Sequence, residues 1–494
     1  MNKKEITLIG LVVIFIFLVV YIPHYVNPYP VHIDEWHHLT QSQKIINNEY
    51  KFGGITTEAG FHFFLAFISI FVDLVLFYQF LPAIWAILTA LILFFIVYKK
   101  TSNNFYIALF SMLFYASIKT NVNIGGLWFF TPLTFALPFI FLYVYFFTEG
   151  IERKNNKFIL ISLGIMTLLL PVHAISVTFA IPFLLIYAII NYKTVKKLYL
   201  SFIPFLILPL FSIIFYSKLF KTTLIQSIPK IINQLQFKYG WGVLELNNSP
   251  LELYSLLGYI FAIIGIISIF LIIKNKKKFI PYLLWPASLI IMIIIFKLTD
   301  VSYLSPFQRN LYYLTISIPI FSAIGLYYTI KFLNIHINRI DIKEKYIPIL
   351  KTIINILIIT IIFIFIFKAY FDIPKHTLLY KLIDNNDYKA LKYLKQFPKS
   401  TVLAKPGISE AIYPISGHDL VAGIFFYHQD RKDEVNKFFK NQTSCEDKQK
   451  TIEKFKVSYI IAKDEINCTY QMIFNKSSKN KSTYIYEIID TKQS

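Results

Sequence analysis

Charge is scarce in this chain. Only 16% of its 494 residues are Asp, Glu, Lys or Arg, against about 25% in a typical soluble domain. Such a deficit, with 56% hydrophobic and 18% aromatic residues, excludes an ordinary soluble enzyme and points to a polytopic membrane protein. Cysteine is nearly absent. Cys445 and Cys468 are the two present, and they pair only if their segment lies in an oxidising compartment, two free thiols being the alternative. No P-loop, GxSxG, HExxH or CxxC stands in a supporting context, so nothing here points to ATP-driven work. No small-x-small cleavage site follows the first apolar run, which ends at Tyr21, Pro23 and His24, so that run reads as an uncleaved anchor. Internal repeats and low-complexity tracts are also missing.

What is present is a series of apolar runs separated by lysine clusters. Eleven candidate spans fall near 5–22, 81–98, 104–119, 130–148, 157–172, 176–191, 198–216, 254–273, 279–298, 311–329 and 350–367. The net charge of +21 is gathered in the short connections, as a topology signal requires and a nucleic-acid surface does not. The Lys and Arg bias places the N-terminus in the cytoplasm and the tail outside, provided that Phe61–Tyr78 does not span. That stretch is therefore expected to be a juxtamembrane or re-entrant helix. An outer connection at 217–253, with Tyr239, Gly240 and Trp241 near its middle, is longer than the usual helix–helix link of about 2–8 residues and is expected to cover a site or to be disordered. The division expected is a membrane domain, 1–367, and an extracytoplasmic α/β domain, 368–494. In that tail Asp387–Gln396 and Arg431–Lys440 read as helices and Thr401–Ala404, Ser458–Ala462 and Ser482–Ile488 as strands.

The stretch Val31–Tyr50, VHIDEWHHLTQSQKIINNEY, concentrates the chemistry. Asp34 and Glu35 sit beside a span, where acids are costly and functional by default. Being adjacent, they diverge and do not straddle one bond as a glycosidase pair does. One can serve as general base while the other orients an acceptor or binds a cation. The plainer reading is an acidic start to a helix over Trp36–Asn47, worth about 0.3–1 kcal/mol. His32, His37 and His38 offer imidazoles that with Asp34 would suit zinc or manganese, or simply face the interface. Further candidates for substrate binding are Glu58 and His62 in TTEAGFHFFLAF, His173 in LLLPVHAIS, and Arg309 in YLSPFQRNLYY, whose guanidinium matches phosphate oxygens.

At this point the layout resembles the GT-C superfamily of integral-membrane glycosyltransferases, in its protein-mannosyltransferase and aminoarabinose-transferase branches. The likeness rests on the Asp34–Glu35 pair after the first span, the Glu58–Phe67 segment EAGFHFFLAF, the LLLPVH turn at Leu168–His173, and a many-span core followed by an outer domain. It implies a polyprenyl-phosphate-linked sugar donor, an inverting transfer to a glycan, lipid or protein acceptor, Asp34 as catalytic base with Glu35 supporting, and Arg309 on the donor phosphate. Many members carry another acid in the second outer loop. Here that loop, KTNVNIGGLWFFTP at Lys119–Pro132, has none, which weighs against a divalent-metal mechanism and leaves Lys119, Asn121 or Asn123 to meet the phosphate. The competing class is a transporter or lipid flippase, which would want charged or broken helices at the midplane. The charges collect instead at the outer face.

Overall fold

The computed structural model describes residues 2–488 apart from 26, 52–57, most of 205–234, 239–252, 274–275, 340–343, 372–380, 425–427 and 479–480. The long connection at 217–253 thus lies largely outside the described residues. In chain order the main helices are α1 (Lys3–Tyr25), α2 (Ile33–Ile46), α3 (Ala59–Ser69), α4 (Leu81–Lys100), α5 (Phe105–Tyr115), α6 (Pro132–Glu152), α7 (Asn156–His173), α8 (Ile181–Ile190), α9 (Leu256–Leu271), α10 (Ile280–Thr299), α11 (Phe307–Ile337), α12 (Ile347–Phe371), α13 (Asn385–Leu394), α14 (Pro406–Ser416), α15 (Lys432–Phe438) and α16 (Cys445–Phe455). The strands are β1 (Gln236–Lys238), β2 (Val301–Tyr303), β3 (Thr401–Ala404), β4 (Asp419–Leu420), β5 (Val457–Ala462), β6 (Gln471–Ser478) and β7 (Lys481–Glu487).

These elements form two compact units. The first comprises Met1–Ile22, Phe52–Gly60 and Leu81–Leu378; the second comprises Pro23–Lys51, Phe61–Phe80 and Leu379–Ser494. The first is an apolar helical assembly. Among the described residues seven helices are long and apolar enough to cross a membrane, or eight if the pair Ile175–Ile190 and Tyr192–Pro204, bent by 87°, is one span. The bend falls between the spans expected at 176–191 and 198–216, the second of which lies largely outside the described residues. Two more of the expected spans are α5 and α9, of 11 and 16 residues, short of the roughly 20 that a bilayer needs. Side-chain caps fix several starts: Asn104 accepts from Ile107 N, Asn155 from Lys157 N and Ser255 from Gly258 N. The tightest crossing joins α9 to α11. A Cβ at Gly265 would run into the Phe321 carbonyl, and one at Gly325 into that of Phe261, so only glycine lets the two backbones touch. On α12, by contrast, Ile349, Ile353, Ile356 and Ile364 are each more than half exposed, as a lipid-facing helix requires.

The second unit is α/β. Its five-stranded sheet has the order β4-β3-β5-β7-β6, with β3 parallel to β4 and β5, and with β7 antiparallel to β5 and β6. Leu403, Val435, Phe438, Ile452, Ile460 and Tyr486 fill one core beneath it. Cys445 and Cys468 are joined as a disulfide with Cα atoms 5.8 Å apart. Alongside the tail the unit takes in α2 and most of α3, which carry the chemistry-bearing stretch. The C-terminal end of α2 is tied to the tail: Glu49 accepts from Lys399 Nζ at 2.6 Å and from the Tyr413 hydroxyl at 2.8 Å, while Lys44 and Lys399 both lie over the Tyr413 ring.

Candidate functional site

Two groups of residues emerge, one in each unit. In the second unit, His32 is the N-cap of α2. Its Nδ1 accepts the Asp34 backbone N–H at 3.1 Å, and the Glu35 carboxylate reaches back to the Val31 and His32 N–H groups at 2.8 and 3.0 Å. This is a capping box with histidine in the usual serine position. The two adjacent acids are thereby separated in role. Glu35 is fully buried and holds the turn; the Asp34 side chain is 34% exposed and projects from the first helical turn. Because His32 Nδ1 already accepts a backbone proton, its 3.6 Å approach to Asp34 is not an ion pair in that tautomer. Buried Tyr78 lies within electrostatic reach of both acids.

The other imidazoles go elsewhere. His38 Nδ1 and His62 Nε2 are 3.0 Å apart, and His62 Nδ1 is 3.0 Å from the Tyr50 hydroxyl. With one proton per ring, the chain Tyr50–His62–His38 is consistently bonded in either direction. His37 packs against both rings, with centroids 5.6 Å from His38 and 6.3 Å from His62. Burial pushes His62 down to about 3 and His37 down to about 4, the latter against the opposing pull of Asp34. Both are neutral at pH 7. Among the described residues no set of three metal donors gathers around Asp34, so the expected grouping of Asp34 with His32, His37 and His38 is not formed. Glu58 stands immediately before α3.

In the first unit, His173 is the last residue of α7. Its Nδ1 meets Ser176 Oγ at 2.7 Å, and that hydroxyl meets Tyr313 OH at 2.9 Å. All three are buried. Arg309 lies one turn before Tyr313. Sequence placed it in a loop, but it sits in the first turn of α11. Its guanidinium donates to the Ile124 carbonyl and lies within electrostatic reach of His173. Ile124 belongs to a tight turn closed by Asn121 N to Gly125 O and Gly125 N to Asn121 O, at 3.0 and 2.9 Å. Gly125 adopts φ +116 there, a conformation that L side chains resist. The loop at Lys119–Pro132 and Arg309 are thus brought together, with Lys119 at the loop's start, where its N–H donates to Leu253 O. Sequence reasoning missed Tyr50, Tyr78, Ser176 and Tyr313 as members of these clusters. Each is a common aromatic or hydroxyl residue: Tyr50 stands 12 positions from His62, and Ser176, three from His173, meets Tyr313 137 positions on, so no local pattern marks the clusters.

The fold is that of GT-C membrane glycosyltransferases. No family model and no curated protein matches the sequence; the likeness is in structure. The chain superposes on ArnT from Cupriavidus metallidurans in the apo state with a TM-score of 0.56, at 10% identity over 98% of this chain and 97% of that one. For the same protein bound to undecaprenyl phosphate the TM-score is 0.55, at 10% identity over 99% of each chain. The apo oligosaccharyltransferase of Archaeoglobus fulgidus gives 0.58, at 11% identity, over 94% of this chain and 70% of that one.

Proposed function

We propose that the chain transfers a sugar from a polyprenyl-phosphate-linked donor to an acceptor hydroxyl or amide on the extracytoplasmic side. The observation that carries this reading is the structural likeness to ArnT with undecaprenyl phosphate over 99% of both chains. In the proposed reaction the acceptor's oxygen or nitrogen attacks the anomeric carbon as its proton passes to the Asp34 carboxylate. The bond from that carbon to the phosphate oxygen breaks, and polyprenyl phosphate leaves with the electron pair. Asp34 suits the base role because, unlike Glu35, it has a partly exposed carboxylate not engaged by the α2 backbone. Glu35 supports it by fixing the turn. Arg309 is assigned to the leaving phosphate, whose developing charge a guanidinium stabilises. His37, Glu58, His62, Lys119 and His173 remain the proposed substrate contacts.

Sidedness rests on two supports: the lysine bias of the connections and the Cys445–Cys468 disulfide, which persists in an oxidising compartment. The reading is tested by binding. Detergent-purified protein should retain undecaprenyl or dolichyl phosphate in preference to the matching uncharged polyprenol, and Arg309→Ala should weaken that preference. Equal retention of phosphate and alcohol would refute the donor class.

A further inference from the structure

The second unit contains a cavity that the proposed reaction does not use. It measures about 300 Å³ and lies between the C-terminal half of α2, the turn at 69–75, α13 and α14. Leu39, Val72, Pro414 and Ile415 make part of its wall apolar, whereas Ser42, Gln43, Lys392 and Lys395 make another part polar. Eight residues of helix separate Ser42 from Asp34, about 12 Å along the axis. Leu39, the lining residue nearest the acids on this helix, lies one turn beyond Glu35, and neither acid lines the cavity.

Its charge is unbalanced. Asp73 on the lining is already matched, accepting from Lys392 Nζ at 2.7 Å and from the Tyr388 hydroxyl at 2.6 Å. Lys395 is left over: among the described residues no carboxylate lies within ion-pair distance of it. The lining thus offers one net positive charge beside an apolar wall. Directly before it in the chain, Phe67, Ile70 and Phe71 are 60%, 72% and 70% exposed, and the two phenyl rings pack at 5.2 Å. Three large apolar side chains so exposed within five residues form a patch suited to lipid rather than water.

We propose that this cavity binds the phosphodiester headgroup of an acidic membrane phospholipid, with Lys395 as its principal charge partner. Lys392, shared with Asp73, contributes a second ammonium, and the acyl chains run along Phe67, Ile70 and Phe71. An amphiphile fits better than a free anion because half of the lining is apolar and the exposed turn continues it. It fits better than a neutral lipid because Lys395 is otherwise uncompensated. This assignment stands apart from the glycosyl-transfer reading, since it needs neither Asp34 nor a sugar donor.

The test uses the full chain in nanodiscs of phosphatidylglycerol and phosphatidylcholine, with lipids retained on release counted by native mass spectrometry. Wild type should keep one phosphatidylglycerol under conditions that strip phosphatidylcholine. Lys395→Glu should lower that retention by about tenfold or more, the loss expected when a charge-assisted bond is replaced by repulsion. Lys395→Arg should restore it. Val72→Trp, which fills the cavity from an exposed turn without changing charge, should also abolish it, whereas Asp34→Asn should leave it intact. Retention unchanged in both Lys395→Glu and Val72→Trp overturns the assignment. Displacement of the lipid by inorganic phosphate at equal concentration would overturn it too, since a free anion would then be the true ligand.

Discussion

Replacing Glu35 separates structure from chemistry in the acid pair. Its carboxylate accepts the Val31 and His32 N–H groups at 2.8 and 3.0 Å, and all three residues are buried. Glu35→Ala strands two buried donors. At about 1–3 kcal/mol for each unsatisfied group, the cost is about 3 kcal/mol after partial relaxation. A unit of this size loses about 2–4 °C per kcal/mol, so its melting midpoint should fall by roughly 10 °C. Glu35→Gln keeps a carbonyl acceptor and surrenders only the charge assistance, about 1 kcal/mol. Thermal scanning of both proteins in detergent, with transfer measured well below either midpoint, checks the reasoning. Glu35→Ala should be unstable, and Glu35→Gln nearly as active as wild type. An unshifted midpoint in Glu35→Ala would refute the capping role. A Glu35→Gln protein that is stable but inactive would show that this carboxylate itself takes part in the reaction.

Other expectations follow from the same geometry. Because His37 sits near 4 when folded and near 6.5 when unfolded, the unfolded chain binds more protons between those values. Stability should therefore fall on acidification from pH 6.5, with His37 contributing about 2 kcal/mol at pH 5; His37→Gln should remove that share in pH-resolved melting and leave the one that His62, held still lower by burial, contributes. Serine at Cys445 and Cys468 removes the closure of the intervening loop and should cost about 3 kcal/mol, read by urea unfolding under oxidising and reducing conditions. Gly325→Val should disrupt the α9–α11 crossing and abolish monodisperse extraction. Asp464→Cys, on an exposed site, should react with a membrane-impermeant maleimide in intact cells. Reaction only after permeabilisation would reverse the orientation.

The tail was largely legible because β-branched runs such as Val457–Ala462 alternate with short amphipathic helices, and both signals are local. The edge strand β6 escaped because QMIFNKSS mixes polar and apolar residues without the alternation of a half-buried strand. Helix α14 escaped because Pro406 and Gly407 read as punctuation, whereas proline at the first helical position is compatible with the helix start. In the membrane part, hydropathy located the apolar runs. It could not report that α5 and α9 are short or that the chain turns by 87° after Ile190, since bends depend on packing. At the site, the expected α2 appeared with Asp34 in its first turn, but the capping box divided the acids by burial, which sequence does not carry. The bond between His38 and His62 joins residues 24 positions apart, beyond any local pattern.

The central claim is tested most directly by turnover. Purified chain is incubated with a labelled polyprenyl-phosphate sugar and a candidate acceptor, and both released polyprenyl phosphate and labelled product are measured for wild type and Asp34→Asn. The account predicts equal formation of the two products by wild type. It also predicts a loss of about 100-fold or more in Asp34→Asn, with donor binding and melting midpoint unchanged. Full transfer activity in Asp34→Asn would contradict it.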